Sequence, residues 1–280
     1  VGSGTVFEIG PIVVHWYGLL VVVGILLGGL LATWEARRRG EDPEHVWQGL
    51  VWCIVFGFLG ARLYHVLSSP ADGTGGFRSY LDDPIAMFRI WDGGLGIIGA
   101  VAGGLVGLLI YTRRHHLNAW RWLDIGTPGL LLAQAIGRWA NFINQELYGP
   151  PTTLPWGLSI AAENRIPRYS DLVRYPEGTT RFHPTFFYDS MGSLAILAFL
   201  LWAERRWAER LQDGDVFLAY LALYGLVRAL IDQFFRPDAW RLDNGLAVGS
   251  LVALVVVLIA GWLLWARHRR PQVQRAGRQT

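Results

Sequence analysis

Residues 129–149 read GLLLAQAIGRWANFINQELYG. The run is apolar enough to enter a bilayer, yet Gln134, Arg138, Asn141 and Gln145 interrupt it at spacings of 4, 3 and 4. At about 3.6 residues per turn those four side chains share one face of a helix. An apolar helix with a single polar stripe turns that stripe toward protein or a watery cavity, because an ionised group facing lipid costs several kcal/mol. The fold expected from this stretch is all-α: a polytopic integral membrane protein whose helices gather around polar residues.

The rest of the chain extends the pattern. A bilayer core needs about 20 mostly apolar residues per helix. Seven stretches qualify or nearly so, at roughly 12–34, 47–67, 95–111, 124–144, 185–202, 215–235 and 246–265. The 280 residues are read as a single integral membrane domain, 1–280, with an external loop segment at 145–184 between spans four and five and a basic cytoplasmic tail at 266–280. Composition agrees, with 52% hydrophobic and only 17% charged residues, against about 25% charged in soluble domains. One Cys excludes a disulfide framework and a cysteine-based metal site. All 25 basic residues are Arg, which excludes a Schiff-base lysine and a P-loop lysine. The seven His show no metal spacing, so neither metal nor cofactor is expected. The net charge of +3 does not point to nucleic acid, because the arginines cluster between apolar runs.

Those clusters set the orientation. Arg37, Arg38 and Arg39 follow span one, Arg113, Arg114 and Arg121 lie around the third connection, Arg205, Arg206 and Arg210 follow span five, and Arg267, Arg269, Arg270, Arg275 and Arg278 close the chain. The positive-inside rule puts these on the cytoplasmic side. The N-terminus then faces outward and the C-terminus the cytoplasm. The segment 145–184 becomes external, and is too long for a mere connector.

Ionisable residues inside spans are functional candidates by default. Arg62, Arg138 and Arg228 qualify. In span six Tyr224, Arg228 and Asp232 are spaced 4 and 4, again one face. Arg138 and Arg228 both fall roughly 10 Å below the outer end of their spans, with Arg62 nearer the surface. His15, Tyr17, Asp92 and His183 map to outer ends as well. Convergent guanidinium groups in the outer half of a bilayer suit an anionic lipid headgroup, since arginine grips phosphate through two parallel hydrogen bonds. Simpler readings stand beside this one. Arg228 and Asp232 neutralise each other, Arg62 snorkels to the interface, and Asp92 caps a helix. Arg138 has no acid three or four residues away, leaving Glu146 and Glu8 as distant partners. The glycine-rich stretch WDGGLGIIGAVAGG, residues 91–104, serves close helix packing or an unwound helix start beside a ligand, not a dinucleotide.

The residues GRWANFINQE at 137–146 resemble the GRxGNFxNxE signature of the prolipoprotein diacylglyceryl transferase family. LYG at 147–149, RFHPTFFYD at 181–189, HWYGLL near the start, GARLYHVL in span two, FRIWDGG at 88–94 and YGLVRALIDQFFRPD at 224–238 follow in family order and cover nearly the whole chain. The resemblance implies a multi-pass enzyme of the bacterial plasma membrane. Its substrates would be phosphatidylglycerol and the lipobox cysteine of a preprolipoprotein signal peptide. A thioether forms and glycerol 1-phosphate leaves. Carried over by position, Arg138 and Arg228 are the catalytic arginines, Arg138 also binding lipid. Asn141, Glu146, Gly149, Tyr17 and Tyr224 match further motif positions, and Arg62 and Asp92 join them as substrate-binding candidates. The chain departs from the pattern at Ala140, where Gly is usual, at Asp232, where Glu is commoner, and at Ile98, where many members carry a His proposed as a base.

A mechanism consistent with these residues has the substrate thiolate attack the glycerol carbon next to the phosphate, while Arg138 and Arg228 stabilise the departing phosphate. The expectation is that the arginine field lets the thiol ionise to solvent, with Glu146, His15, Asp92 and Tyr17 as alternative proton acceptors. The rival readings are a transporter or channel for an anionic lipid or small anion, which needs polar residues through both leaflets, and an intramembrane hydrolase, which needs a Ser–His or paired-Asp arrangement.

Overall fold

The computed structural model describes residues 5–9, 12–68, 76–81, 83–89 and 94–269. Among these, seven α-helices run in order: α1 Trp16–Arg38, α2 Glu44–Leu67, α3 Ile97–Arg114, α4 Ala119–Ile143, α5 Thr185–Arg206, α6 Asp215–Phe234 and α7 Val248–Arg269. The protein is thus an all-α, multi-pass membrane protein, and each helix overlaps one expected span. Two short antiparallel pairs are the only strands among the described residues: β1 Thr5–Ile9 with β2 Ile12–His15, and β3 Pro151–Thr152 with β4 Arg181–Phe182.

The boundaries depart from expectation for identifiable reasons. Span one starts at Trp16, not at 12, because the β-branched run Ile12-Val13-Val14 pairs with β1 as a hairpin. Helices α1, α5 and α7 run on through Arg37–Arg38, Arg205–Arg206 and Arg267–Arg269. Cations are favourable beside the exposed carbonyls of a helix C-terminus, so these arginines extend the last turn instead of ending it. Helix α4 begins at Ala119 and carries Pro128 in its interior. Five helices are long and apolar enough to cross a membrane by composition: α1, α2, α3, α5 and α7. The two that fall short, α4 and α6, carry Arg138, Arg228 and Asp232.

The chain divides into two compact units, residues 32–125 and residues 1–31 with 126–280. In the first, α2 and α3 pack backbone to backbone. A Cβ on Gly99 would lie 2.1 Å from the Gly60 carbonyl oxygen, and one on Gly103 would lie 2.1 Å from that of Phe56. Gly107 meets Trp52 in the same way at 2.6 Å. Glycines four apart therefore form the contact stripe, and Gly99 and Gly103 of the glycine-rich stretch serve helix packing; residues 91–93 lie outside the described residues. Arg62, near the end of α2, donates from Nε to Met87 O at 2.7 Å, from Nη2 to Ala86 O at 2.6 Å and from Nη1 to Gly94 O at 3.1 Å.

In the second unit Leu131, Ile196, Leu197, Leu200, Val216 and Tyr220 form the core. Side-chain hydroxyls tie neighbouring helices through carbonyls: Ser190 Oγ of α5 donates to Ala135 O of α4 at 2.9 Å, and Ser250 Oγ of α7 to Ala229 O of α6 at 2.8 Å. Such bonds replace water where none is present. The segment between α4 and α5 has its own small core of Tyr148, Ile160, Tyr169 and Phe182. Buried Arg165 donates there from Nε to Ile160 O at 3.0 Å and from Nη1 to Tyr175 O at 2.6 Å.

Candidate functional site

The polar stripe of α4 and the polar face of α6 meet at a third residue, Asp189 of α5. Arg138 Nε lies 2.9 Å from Asp189 Oδ2, and Arg228 Nη1 lies 2.8 Å from the same oxygen. Arg228 Nη2 reaches Asp232 Oδ1 at 2.5 Å. The Tyr224 hydroxyl accepts from Arg138 Nη2 at 3.2 Å and donates to Asp189 Oδ1 at 3.3 Å. Asp189 is only 2% exposed. A carboxylate this buried persists only with paired charges and hydrogen bonds, and here two guanidinium groups and a phenol supply them.

A small cleft, partly open to solvent, is lined by Arg138, Asn141, Thr185, Asp189, Arg228 and Arg236, with Leu147 and Phe186 as apolar wall. Arg236, just beyond α6, pairs with Asp238 at 2.5 Å and lies 3.8 Å from Asp232. Burial alone would raise the Asp238 carboxyl, but its bonds and charge attraction to Arg236 hold it below the usual range. Asp232 is accommodated against α7 because Gly249 leaves the space: a Cβ there would sit 2.6 Å from Asp232 Oδ2.

The rim of the cleft is the turn after α4. Gln145 and Leu147 adopt positive φ of 53° and 54°, a conformation rare outside glycine and asparagine. They place Glu146 so that its carboxylate accepts from Asn141 Nδ2 at 3.0 Å and Asn144 Nδ2 at 3.2 Å. Gly149 then passes against the entry to α5. Its amide donates to His183 O at 2.9 Å, and a Cβ would fall 2.7 Å from His183 Cβ. His183 itself shares a hydrogen bond with the Tyr188 hydroxyl at 3.0 Å, and burial lowers its pKa.

The structure thus brings together Arg138, Arg228, Tyr224, Asn141, Glu146 and Gly149 in one unit. It pairs Arg228 with Asp232, as the spacing implied. It gives Arg138 the partner Asp189 in place of Glu146, whose carboxylate is engaged by Asn141 and Asn144. Glu8 has no described side chain, and Asp92 lies outside the described residues. Tyr17 stands exposed in the first turn of α1. Arg62 belongs to the other unit, where three carbonyls receive its guanidinium. Asp189 and Arg236 were missed as site residues. Asp189 carries the signal used for the arginines, an ionisable group within an apolar span, and Arg236 lies in a quoted motif block.

This geometry belongs to a chain with extensive sequence relatives. Residues 4–266 match the profile of the family described as prolipoprotein diacylglyceryl transferase. A protein from Chloroflexus aggregans named phosphatidylglycerol–prolipoprotein diacylglyceryl transferase is 41% identical across 96% of this chain and 90% of its own length. Identically named proteins from Paenarthrobacter aurescens and Thermosynechococcus vestitus are 39% and 36% identical, covering 95% and 94% of this chain and 82% and 91% of theirs.

The chain belongs to the prolipoprotein diacylglyceryl transferase family. It is accordingly an enzyme, a membrane transferase. Its departures from the family pattern read clearly in the structure. Ala140 is fully buried, so the extra methyl occupies packed space. Asp232, shorter than Glu, still meets Arg228 because Gly249 lets it approach. Ile98, in the first turn of α3, is 61% exposed and has no titratable group to offer.

Proposed function

We propose that the chain transfers the diacylglyceryl group of phosphatidylglycerol to the lipobox cysteine thiol of a preprolipoprotein, forming a thioether and releasing glycerol 1-phosphate. The observation that carries this reading is the meeting of Arg138 and Arg228 on one carboxylate within an open cleft. Two guanidinium groups that converge on one carboxylate oxygen are spaced to converge on a phosphate as well.

In the reaction the sulfur attacks the glycerol carbon that bears the phosphate. The carbon–oxygen bond breaks, and its electron pair leaves with the phosphate. Negative charge grows on that phosphate in the transition state. Arg138 and Arg228 donate to it from fixed positions, so that no reorganisation is needed as the charge develops. Tyr224 keeps the two arginines in register by bonding both Arg138 and Asp189. Asn141, Glu146 and Gly149 shape the rim, and Phe186 and Leu147 offer an apolar wall to the glyceryl end of the lipid. Tyr17, Arg62 and Asp92 remain substrate-side candidates at outer ends. The nucleophile is the substrate's own, consistent with Cys53 lying within α2.

Basic last turns on α1, α3, α5 and α7 support an outward N-terminus and a cytoplasmic C-terminus. The cleft then opens outward, where an exported signal peptide presents its cysteine, and the folded 145–184 segment stands beside it. The conduit reading is not favoured, since the family's members carry a transferase name. The test is purified protein in vesicles with a lipobox peptide. Phosphatidylglycerol should yield thioether peptide and glycerol phosphate in equal amounts, and phosphatidylethanolamine should yield neither. Absence of both products with phosphatidylglycerol would refute the reading.

A further inference from the structure

The arginines of the cleft are less electropositive than their number implies. Arg138, Arg228 and Arg236 face three carboxylates, Asp189, Asp232 and Asp238. The cluster is neutral, and a bound lipid phosphate makes it negative. A field of that sign does not drive a thiol to ionise into solvent, so the proton needs an acceptor. Of the eight residues that line the cleft, Asp189 alone carries a carboxylate. The others are three arginines, Asn141, Thr185, Leu147 and Phe186.

We propose that Asp189 is the proton acceptor for the substrate thiol, and that lipid binding switches it on. The idea rests on the transferase reading above. Asp189 Oδ2 is held by both Arg138 and Arg228, and Oδ1 by a longer bond from Tyr224. These are the groups that face it from α4 and α6, with Asp232 and Arg236 behind Arg228. When phosphate draws the two guanidinium groups to itself, the carboxylate lone pairs they occupied become available. The freed oxygen lines the same cleft as the two arginines that would hold the phosphate. The sulfur–hydrogen bond breaks, Asp189 takes the proton, sulfur and carbon join, and the phosphate leaves with the carbon–oxygen electron pair. The proton then passes to the departing phosphate or to water, restoring the carboxylate to its arginines. Ordering follows from this scheme: the thiol is activated only when lipid is in place, so the buried carboxylate deprotonates no cysteine that arrives alone.

The decisive comparison uses two peptides, one with the lipobox cysteine and one with selenocysteine in its place. A selenol is already ionised near neutral pH and needs no acceptor. With cysteine, Asp189→Asn should lose turnover by the roughly 10²–10⁴-fold typical of a general base. With selenocysteine the same variant should keep most of the wild-type rate. Equal losses with both peptides would mean that Asp189 only holds the arginines in place, and would overturn the proposal. Should Asp189→Asn fail to fold, Asp189→Glu serves. It keeps a carboxylate at altered reach, and should slow the cysteine peptide by at least tenfold more than the selenocysteine peptide. Equal slowing would again overturn it. Wild-type protein that modifies neither peptide would instead sink the transferase reading itself.

Discussion

At the scale of single residues, the site depends on shape as much as on charge. Arg138 bonds Asp189 through Nε and Tyr224 through Nη2 at once, which an ammonium group on a flexible stem cannot do from one position. Arg138→Lys should therefore keep the fold but cut turnover by roughly 10²–10³-fold, the usual effect of losing a fixed transition-state donor. Arg138→Ala should do no better. An alanine variant that turns over at the wild-type rate would remove Arg138 from the mechanism. The arginines, Tyr224 and Asp232 were legible because helical spacing aligns residues four apart within one span. Asp189 was not, because its partners belong to two other helices, and spacing along one helix says nothing about pairing between helices. Glu146, one of the two distant acids left as partners for Arg138, is directed by the positive-φ turn at Gln145 and Leu147 to Asn141 and Asn144 instead.

At the scale of elements, the helices fall into two kinds. The α2–α3 pair is held by glycine-mediated backbone contact, the polar helices α4, α5 and α6 by hydroxyl-to-carbonyl bonds and the arginine–aspartate cluster. The first kind predicts an asymmetric tolerance. Gly103→Ala puts a methyl 2.1 Å from a carbonyl oxygen, so the helices must part, at a cost of about 1–3 kcal/mol for overpacking. Gly126→Ala meets nothing within 4 Å, and alanine is the better helix former. Thermal unfolding followed by tryptophan fluorescence should show a melting point several degrees lower for the first and unchanged or slightly raised for the second. Equal melting points would mean that α2 and α3 are not packed this closely. All seven helices were legible from hydropathy, including α4 and α6, which qualify only when their charges are read as a buried stripe. The β1–β2 hairpin was not, because a short β-branched run leading into an apolar helix has the same hydropathy as the helix.

At the scale of the molecule, function requires that the cleft and its surrounding segment face the side on which exported peptides expose their cysteine. The proposed placement rests on the arginines that end α1, α3, α5 and α7, together with the odd number of helices among the described residues. The measurement that tests it most directly uses two single-cysteine variants in a Cys53→Ser background. One carries Gly178→Cys in the segment beside the cleft, the other Glu209→Cys in the connection from α5 to α6, both positions being exposed. Intact cells are treated with a membrane-impermeant thiol reagent. Cysteine at 178 should label without permeabilisation, and cysteine at 209 only after it. Labelling at 209 but not at 178 in intact cells would put the arginine cleft on the cytoplasmic side and contradict the account.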